Sequence, residues 1–247
     1  MGASLLSDFS DHLRVAVIGA SGGVGSAFVR HLSAQDNVDA VYAFSRSEAV
    51  FDNAKVTCGT IDILDEESVK AAAARVEGAL DIVIVATGFL HAGDVKPEKS
   101  LRDLDMDQFH DVFAVNAFGP AMVAKYFTPL LPRDRRSVFA ALSARVGSID
   151  DNVMGGWYAY RASKAALNML IKNTAIEIAR KYKQASIIAL HPGTVDTGLS
   201  KPFQGKVPDG KLFTPEYSAE CLLKVINAAS ADKTGKLFAW DGEDIQY

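Results

Sequence analysis

A phenol and an ammonium group stand four residues apart in Tyr160-Arg-Ala-Ser-Lys164, within the longer run from Tyr158 to Asn168. That run reads as the start of a helix, on which positions i and i+4 share a face about one turn apart. Lys164 can then sit beside Tyr160 and lower the pKa of its hydroxyl, which is about 10 when unperturbed. A tyrosine poised in this way moves a proton on or off a carbonyl or alcohol oxygen. Tyr-x-x-x-Lys pairs also occur on ordinary helix surfaces, so the pair gains chemical meaning only from what the rest of the chain brings to it.

The elements that must position it begin with Leu13 to Ile18, a short β-branched run of the kind buried on both faces of a parallel sheet. Gly19-Ala20-Ser21-Gly22-Gly23-Val24-Gly25 follows, and then helical spacing from Ser26 to Ser33. Strand, glycine-rich turn and helix in that order make a dinucleotide-binding element. The backbone of Gly19, Ser21, Gly22, Gly23, Val24 and Gly25 can approach a pyrophosphate, and the helix N-terminus offers free N–H groups. A plain tight turn needs one or two glycines, not four in seven residues. The spacing fits G-x-x-x-G-x-G through Gly19, Gly23 and Gly25, and G-x-x-G-x-x-G through Gly19, Gly22 and Gly25.

Val38 to Phe44 forms a second strand that runs into Ser45-Arg46-Ser47. No carboxylate stands at its end, since Asp36 and Asp39 come earlier. Arg46, with Ser45 beside it, therefore suits the 2′-phosphate of NADP(H) rather than the ribose hydroxyl of NAD(H); the alternative is a solvent-exposed arginine. Val56 to Ile63 contains a third strand, with Asp62 and Ile63 leaving its end, and Asp65 caps an alanine-rich helix reaching Glu77. Leu80 to Ala86 is the clearest buried strand. It ends in Ala86-Thr87-Gly88, small residues that permit close approach of a cofactor. His91 to Arg102 reads as an exposed excursion. Asp105 to Leu131 reads as one long helix with Asn116 in its middle beside Gly119-Pro120, either a packed kink or a break with a purpose.

Ser137 to Leu142 is the fifth strand, leading into Ser143-Ala-Arg-Val-Gly-Ser148 and a polar loop from Ile149 to Gly156. The Tyr/Lys helix continues to about Lys181. A sixth strand, Ala185 to Leu190, ends at His191-Pro192-Gly193-Thr194-Val195-Asp196-Thr197, and Gly198 to Phe213 lacks periodicity and reads as a mobile flap. Thr214 and Pro215 open a helix ending near Ser230. Lys236 to Trp240 is a last strand, followed by a short tail. This alternation predicts a single-domain Rossmann-like α/β fold over residues 13–247, a doubly wound parallel sheet with helices on both faces, behind an N-terminal tail of residues 1–12. Ligands of such folds bind at the carboxyl ends of the strands, where Gly19, Arg46, Gly88, Ser143 and Pro192 should gather.

Composition narrows the function classes. The 247 residues are 49% hydrophobic and 23% charged with a net charge of −4, which gives no electrostatic case for nucleic acid or an anionic membrane. Cys58 and Cys221 belong to no metal-ligand spacing and read as small hydrophobes in a reducing compartment. The five histidines include no His-x-x-x-His pair, so no metal is expected. Without an apolar N-terminal region or a membrane-length apolar run, a cytoplasmic protein is expected.

The ordered set Gly19-x-x-x-Gly23-x-Gly25, Asp62, Ala86-Thr-Gly88, Asn116, Ser143, Tyr160-x-x-x-Lys164 and Pro192-Gly193-x-Val195-x-Thr197 resembles the short-chain dehydrogenase/reductase family across nearly the whole chain. The Ser143 to Ile149 loop, the Trp157 to Asn168 run and the closing Phe238 to Gly242 are similar to its C-factor and sniffer-type carbonyl reductase branch. The resemblance implies an NAD(P)-dependent oxidoreductase of CH–OH and C=O groups, expected to reduce a carbonyl to an alcohol by hydride transfer and to assemble as a homodimer or homotetramer. Tyr160 would donate or accept the substrate proton, and Lys164 would lower its pKa and hold the nicotinamide ribose. Ser143 would orient the carbonyl, Asn116 would hold a water linking Lys164 to solvent, and Pro192, Gly193, Val195 and Thr197 would meet the nicotinamide carboxamide.

Two departures from the family pattern stand out. Ala86-Thr87-Gly88 replaces the usual Asn-Asn-Ala-Gly, and the position thirteen residues before Tyr160, the family's usual place for the serine, is Gly147. Either the loop before the helix is longer or the serine has moved; Ser143 is the expected residue and Ser148 the alternative. The substrate pocket is expected from Ile149 to Gly156 and from the flap, with Val153, Met154, Trp157 and Phe203 as its apolar part or as core or oligomer residues. Two other readings compete. A nucleotide-sugar epimerase or dehydratase would need a larger substrate domain than the 87 residues after Tyr160 provide. A signalling or binding protein of the C-factor type would keep the cofactor site with incidental turnover.

Overall fold

The computed structural model describes residues 4–247 apart from Glu48 and Asp94, so the first three residues of the expected tail and one residue of the expected excursion lie outside the described part. The strands are β1 (Leu13–Ile18), β2 (Val38–Ser45), β3 (Val56–Thr60), β4 (Ile82–Val85), β5 (Ser137–Leu142), β6 (Ala185–His191), β9 (Leu237–Ala239) and β10 (Asp244–Ile245), with β7 (Thr194–Val195) and β8 (Leu212–Phe213) as a separate small pair. The main sheet has the order β10-β9-β6-β5-β4-β1-β2-β3. Every pairing in it is parallel except β9 with β10, where residues expected as a tail turn back antiparallel along the edge.

Alternate residues of each central strand feed two cores, because successive side chains point to opposite faces. Val15, Val17, Ile82, Ile84, Val138 and Ile188 pack on one side with Phe28, Leu32, Leu222 and Ile226 of helices α1 (Gly23–Ser33) and α6 (Pro215–Ala228). Ala16, Ile18, Val83, Val85, Phe139 and Ile187 pack on the other. There they meet α2 (Glu66–Ala74), α4 (Gly119–Phe127) and α5 (Tyr158–Ile178) through Val69, Phe127, Leu167 and Ile171. Burial on both faces explains why these strands read as continuous apolar runs. The tail is less of a tail than its polar sequence suggests: Leu6 and Phe9 are buried in the α1/α6 layer, and the Arg136 guanidinium lies over the Phe9 ring.

Capping followed the sequence closely. Asp65 accepts from the Glu67 N–H, and Thr214 from the Tyr217 N–H. The long helix expected from Asp105 to Leu131 is capped by Asp105 and split into α3 (Met106–Phe113) and α4 by a π-helical turn, Ala114–Phe118, which contains Asn116. Inserting a residue into the helical ladder re-aims the side chains around it. The flap is more structured than its sequence suggests, with a 3-10 turn over Lys201–Lys206 and β8 paired to β7.

Candidate active site

Two adjoining cavities open at the carboxyl ends of the strands, on either side of the point between β1 and β4 where the chain reverses its direction of winding. The smaller, of about 270 Å³, is lined by Gly19, Ser21, Gly22, Ser45, Arg46, Asp62, Ile63, Ala86, Thr87 and Gly88 among others. The larger, of about 510 Å³, shares Gly22, Ala86, Thr87 and Gly88 with it and continues past Gly23 and Val24 to Ser143, Tyr160, Lys164, Pro192, Gly193, Val195 and Thr197. Thus all but one of the expected dinucleotide-contacting residues border one continuous groove. The exception is Gly25, which lines neither cavity. A Cβ there would stand 2.1 Å from the Gly19 carbonyl oxygen, so this glycine lets the loop fold onto its own helix.

The loop is built for backbone approach. Gly19 has φ +91°, and its N–H and that of Ala20 both donate to the Phe44 carbonyl at 2.8 and 3.0 Å, which ties the turn to β2. Gly22 caps α1 without a side-chain bond, so the first-turn N–H groups have no side-chain cap, and Gly22, Gly23 and Val24 border the groove. A Cβ at Gly23 would come within 2.7 Å of Thr197 Cγ2, so only a glycine keeps that wall in place. Thr87 Oγ1 is buried without a hydrogen-bond partner among the described residues, and Thr87 borders both cavities. An orphaned hydroxyl and a helix end without a side-chain cap, lining the same cavities, suit a polar, anionic guest such as a dinucleotide. Arg46 stands exposed at the rim of the smaller cavity, while Ser45 Oγ is engaged by the Ser47 carbonyl at 2.6 Å. Asp62 Oδ1 accepts from the Leu64 N–H at 3.0 Å and so shapes the turn after β3.

At the other end, α5 presents Tyr160, Lys164 and Asn168 at helical spacing on one face. Lys164 is 2% exposed and donates from Nζ to the Leu142 carbonyl at 2.9 Å, with Nζ 5.7 Å from the centre of the Tyr160 ring. Burial pushes the Lys164 ammonium down to about 7 and the Tyr160 phenol up to about 12. Lowering of the tyrosine by the lysine, expected from their spacing, is therefore not what this geometry produces. The ammonium bonds a main-chain carbonyl, and withdrawal from water dominates both groups, favouring their neutral forms.

The two candidate serines lie in different places. Ser143, buried at the end of β5, lines the larger cavity and donates to Asn168 Oδ1 at 2.7 Å. Ser148 accepts from the Asp151 N–H at 3.2 Å and does not border the cavity. Gly147 sits where α5 packs: a Cβ there would lie 2.7 Å from Lys164 Cβ. A serine at that position would push the helix away.

Asn116 lines neither cavity. From the π turn it receives the Phe89 N–H on Oδ1 and donates Nδ2 to the Phe89 carbonyl, both at 2.8 Å, and it also reaches Ser163 Oγ at 3.2 Å. It thereby fixes the chain leaving β4, beside Thr87 and Gly88. The loop from Ile149 to Gly156, expected in the pocket, stays outside it. Val153 and Met154 are 91% and 87% exposed, and the next three residues, Gly155, Gly156 and Trp157, all take positive φ. Trp157 and Phe203 do border the cavity, their rings 5.0 Å apart, with Leu90, Val146, Leu199 and Val207. His191 also borders it, its Nδ1 buried and unpartnered among the described residues and its imidazole pushed down to about 4 by burial. The pattern missed Asn168, although it lies one further turn along the Tyr160/Lys164 face. Leu90, Val146 and His191 carry no signal of their own, since only the packing brings them to the cavity.

Residues 14–207 match the short chain dehydrogenase family. The chain is 31% identical over 237 residues to a 1-hydroxy-2-glutathionyl-2-methyl-3-butene dehydrogenase of Rhodococcus sp. (strain AD45), covering 94% of this chain and 99% of that one. It is 31% identical over 148 residues to the C-signal protein of Myxococcus xanthus, covering 60% and 84%. Among solved structures, NADPH-bound carbonyl reductase from chicken fatty liver superposes with a TM-score of 0.84 at 23% identity over the full length of both chains. Carbonyl reductase Sniffer of D. melanogaster does so with 0.80 at 18% identity, covering 97% of this chain and all of that one. Fold, groove and sequence likeness agree, and the chain belongs to the short chain dehydrogenase family of NAD(P)-dependent oxidoreductases acting on C=O and CH–OH groups.

Proposed function

We propose that the protein is an NADP(H)-dependent carbonyl reductase in which Tyr160 donates the proton. The observation that carries this reading is the convergence of Tyr160, Lys164 and Ser143 on one apolar cavity at the end of a groove that begins at Arg46. The glycine loop from Gly19 to Val24, the strand ends at Asp62, Ile63 and Ala86 to Gly88, and Pro192 to Thr197 would hold the dinucleotide. When bound, that cofactor supplies a hydride to the carbonyl carbon. The phenol, held protonated by burial at neutral pH, passes its proton to the oxygen as negative charge develops there, and the product is an alcohol. Ser143 can orient the same oxygen, once its hydroxyl turns from Asn168 toward the cavity. Lys164, near 7 and beside the phenol, can return a proton to it after each turnover.

The cavity wall of Leu90, Trp157, Leu199, Phe203 and Val207 favours an apolar or aromatic carbonyl compound. Tyr160→Phe should abolish NADPH oxidation with aldehydes, ketones and quinones while NADPH binding survives; undiminished turnover in that variant would sink the mechanism. Arg46 supports the choice of NADP(H), and Arg46→Ala should weaken NADPH binding and leave NADH binding unchanged. Equal affinity of the parent protein for both cofactors would remove that assignment. The likeness to C-signal favours one second reading, a binding protein with incidental turnover. Tight NADPH binding with no turnover on any carbonyl of the panel would decide for it.

A further inference from the structure

Helix α5, which carries Tyr160 and Lys164, begins without a cap of its own. Its N-cap position is Trp157, held in the left-handed region at φ 52°, whose side chain accepts nothing, and its first turn contains no acidic residue. For a non-glycine residue that backbone is strained, and it persists only where its surroundings impose it. What imposes it comes from far away in sequence. The Glu98 main-chain carbonyl accepts the Trp157 N–H at 2.6 Å, and Glu98 Oε2 accepts the Ala159 N–H at 3.2 Å. Glu98 Oε1 accepts from Gln108 Nε2 at 2.8 Å, and that amide also reaches the Lys96 carbonyl at 3.0 Å. Glu98 is 2% exposed. A carboxylate is thus buried against the N-terminus of the helix, one residue before the proposed proton donor.

We infer that Glu98, held by Gln108, is the positioning residue that caps α5 and sets the placement of Tyr160 and of the cavity wall at Trp157. The charge type matters as well as the bond count. Two N–H donors, from Ala159 and Gln108, arrive on the two different oxygens of one carboxylate. An amide in its place would present its NH₂ to one of those donors; the contact then survives only if the Gln108 amide turns over and leaves the Lys96 carbonyl, and the pair carries no charge. The negative charge also sits where the helix dipole favours it. Trp157 transmits the constraint, since its ring meets Tyr160 at 6.1 Å and Phe203 at 5.0 Å.

The inference rests on the proposed role of Tyr160, and its test carries an independent readout. Glu98→Gln, Gln108→Glu and the double exchange are compared for kcat, for NADPH Kd and for Trp157 fluorescence in a Trp240→Phe background, which leaves Trp157 as the one tryptophan. Glu98→Gln should lower kcat roughly ten- to a hundred-fold, as misplacement of a reacting group does, shift the Trp157 emission, and leave NADPH Kd unchanged. The double exchange restores a carboxylate–amide pair with an oxygen for Ala159, and Lys96 is exposed enough for water to take its carbonyl. It should therefore recover both kcat and emission. Parent-like kcat and emission in Glu98→Gln, or a double exchange no better than the single, would overturn the inference. Should Glu98→Gln not fold, Gln108→Ala, which keeps the carboxylate but frees one oxygen, must still lower kcat at unchanged Kd, and an unaltered kcat there is equally fatal. If the parent itself turns over no carbonyl, the reductase reading falls and the emission arm alone decides the cap.

Discussion

Replacing Lys164 by methionine should stabilise the cofactor-free protein at neutral pH and remove a pH dependence that the parent shows. Burial lowers the Lys164 ammonium from 10.5 to about 7, so the unfolded chain binds this proton more tightly than the folded one. A depressed folded pKa means that stability is fully present above the unfolded value and is lost as the pH falls toward the folded one. Between these values the penalty is about 4 kcal/mol at pH 7 and about 2 kcal/mol at pH 9. Methionine fills a similar volume and carries no charge, but it withdraws the donor from the Leu142 carbonyl, a loss of about 1–3 kcal/mol. The variant should therefore exceed the parent by about 1–3 kcal/mol at pH 7, and the advantage should shrink by about 2 kcal/mol at pH 9. For a chain of this length the change corresponds to roughly 4–8 °C in Tm. Differential scanning calorimetry of both proteins at the two pH values reads it directly, and Tyr160, near 12, stays neutral at both. A Tm difference that does not narrow with rising pH would refute the assignment of a neutral-leaning buried lysine.

Two further outcomes follow from the packing around the site. Gly147→Ala places a methyl 2.7 Å from Lys164 Cβ and should destabilise by about 1–3 kcal/mol while lowering kcat, as the helix moves to make room; parent-like melting and turnover would show that α5 is not seated on that glycine. Asn116→Leu leaves both main-chain groups of Phe89 without their partner and should lower stability by roughly 2–4 kcal/mol in urea titration. A loss below about 0.5 kcal/mol would mean that water replaces the asparagine at no penalty.

The legible part of the site is the part made by neighbours in sequence. The strand, glycine turn and helix from Leu13 to Ser33 declare themselves because positive φ at Gly19 and the tight Gly25 contact are local demands that few residues other than glycine meet. Tyr160 and Lys164 meet on one face for the same reason, since helical periodicity carries four residues around one turn. The two-faced burial of β1, β4, β5 and β6 shows in their unbroken apolar runs, and the caps at Asp65, Asp105 and Thr214 lie within three residues of the groups they satisfy. Even the anomaly of Gly147, where a serine is usual, is visible as an anomaly.

Its explanation is not visible, because it lies in the contact of a loop with a helix that follows it. Only the tertiary structure put Ser143 rather than Ser148 at the cavity wall, turned the Ile149 to Gly156 loop away from the cavity, and used Asn116 to clamp Phe89. Only it brought Glu98 to the uncapped start of α5, across a separation of 61 residues. The protonation of the central pair belongs here too. Sequence spacing places an ammonium near a phenol, but the sign of each shift depends on how much water remains around them, and that is decided by the whole fold closing over the pair. Local backbone geometry and periodicity are written in the order of residues, whereas burial and long-range pairing arise only once the chain has packed.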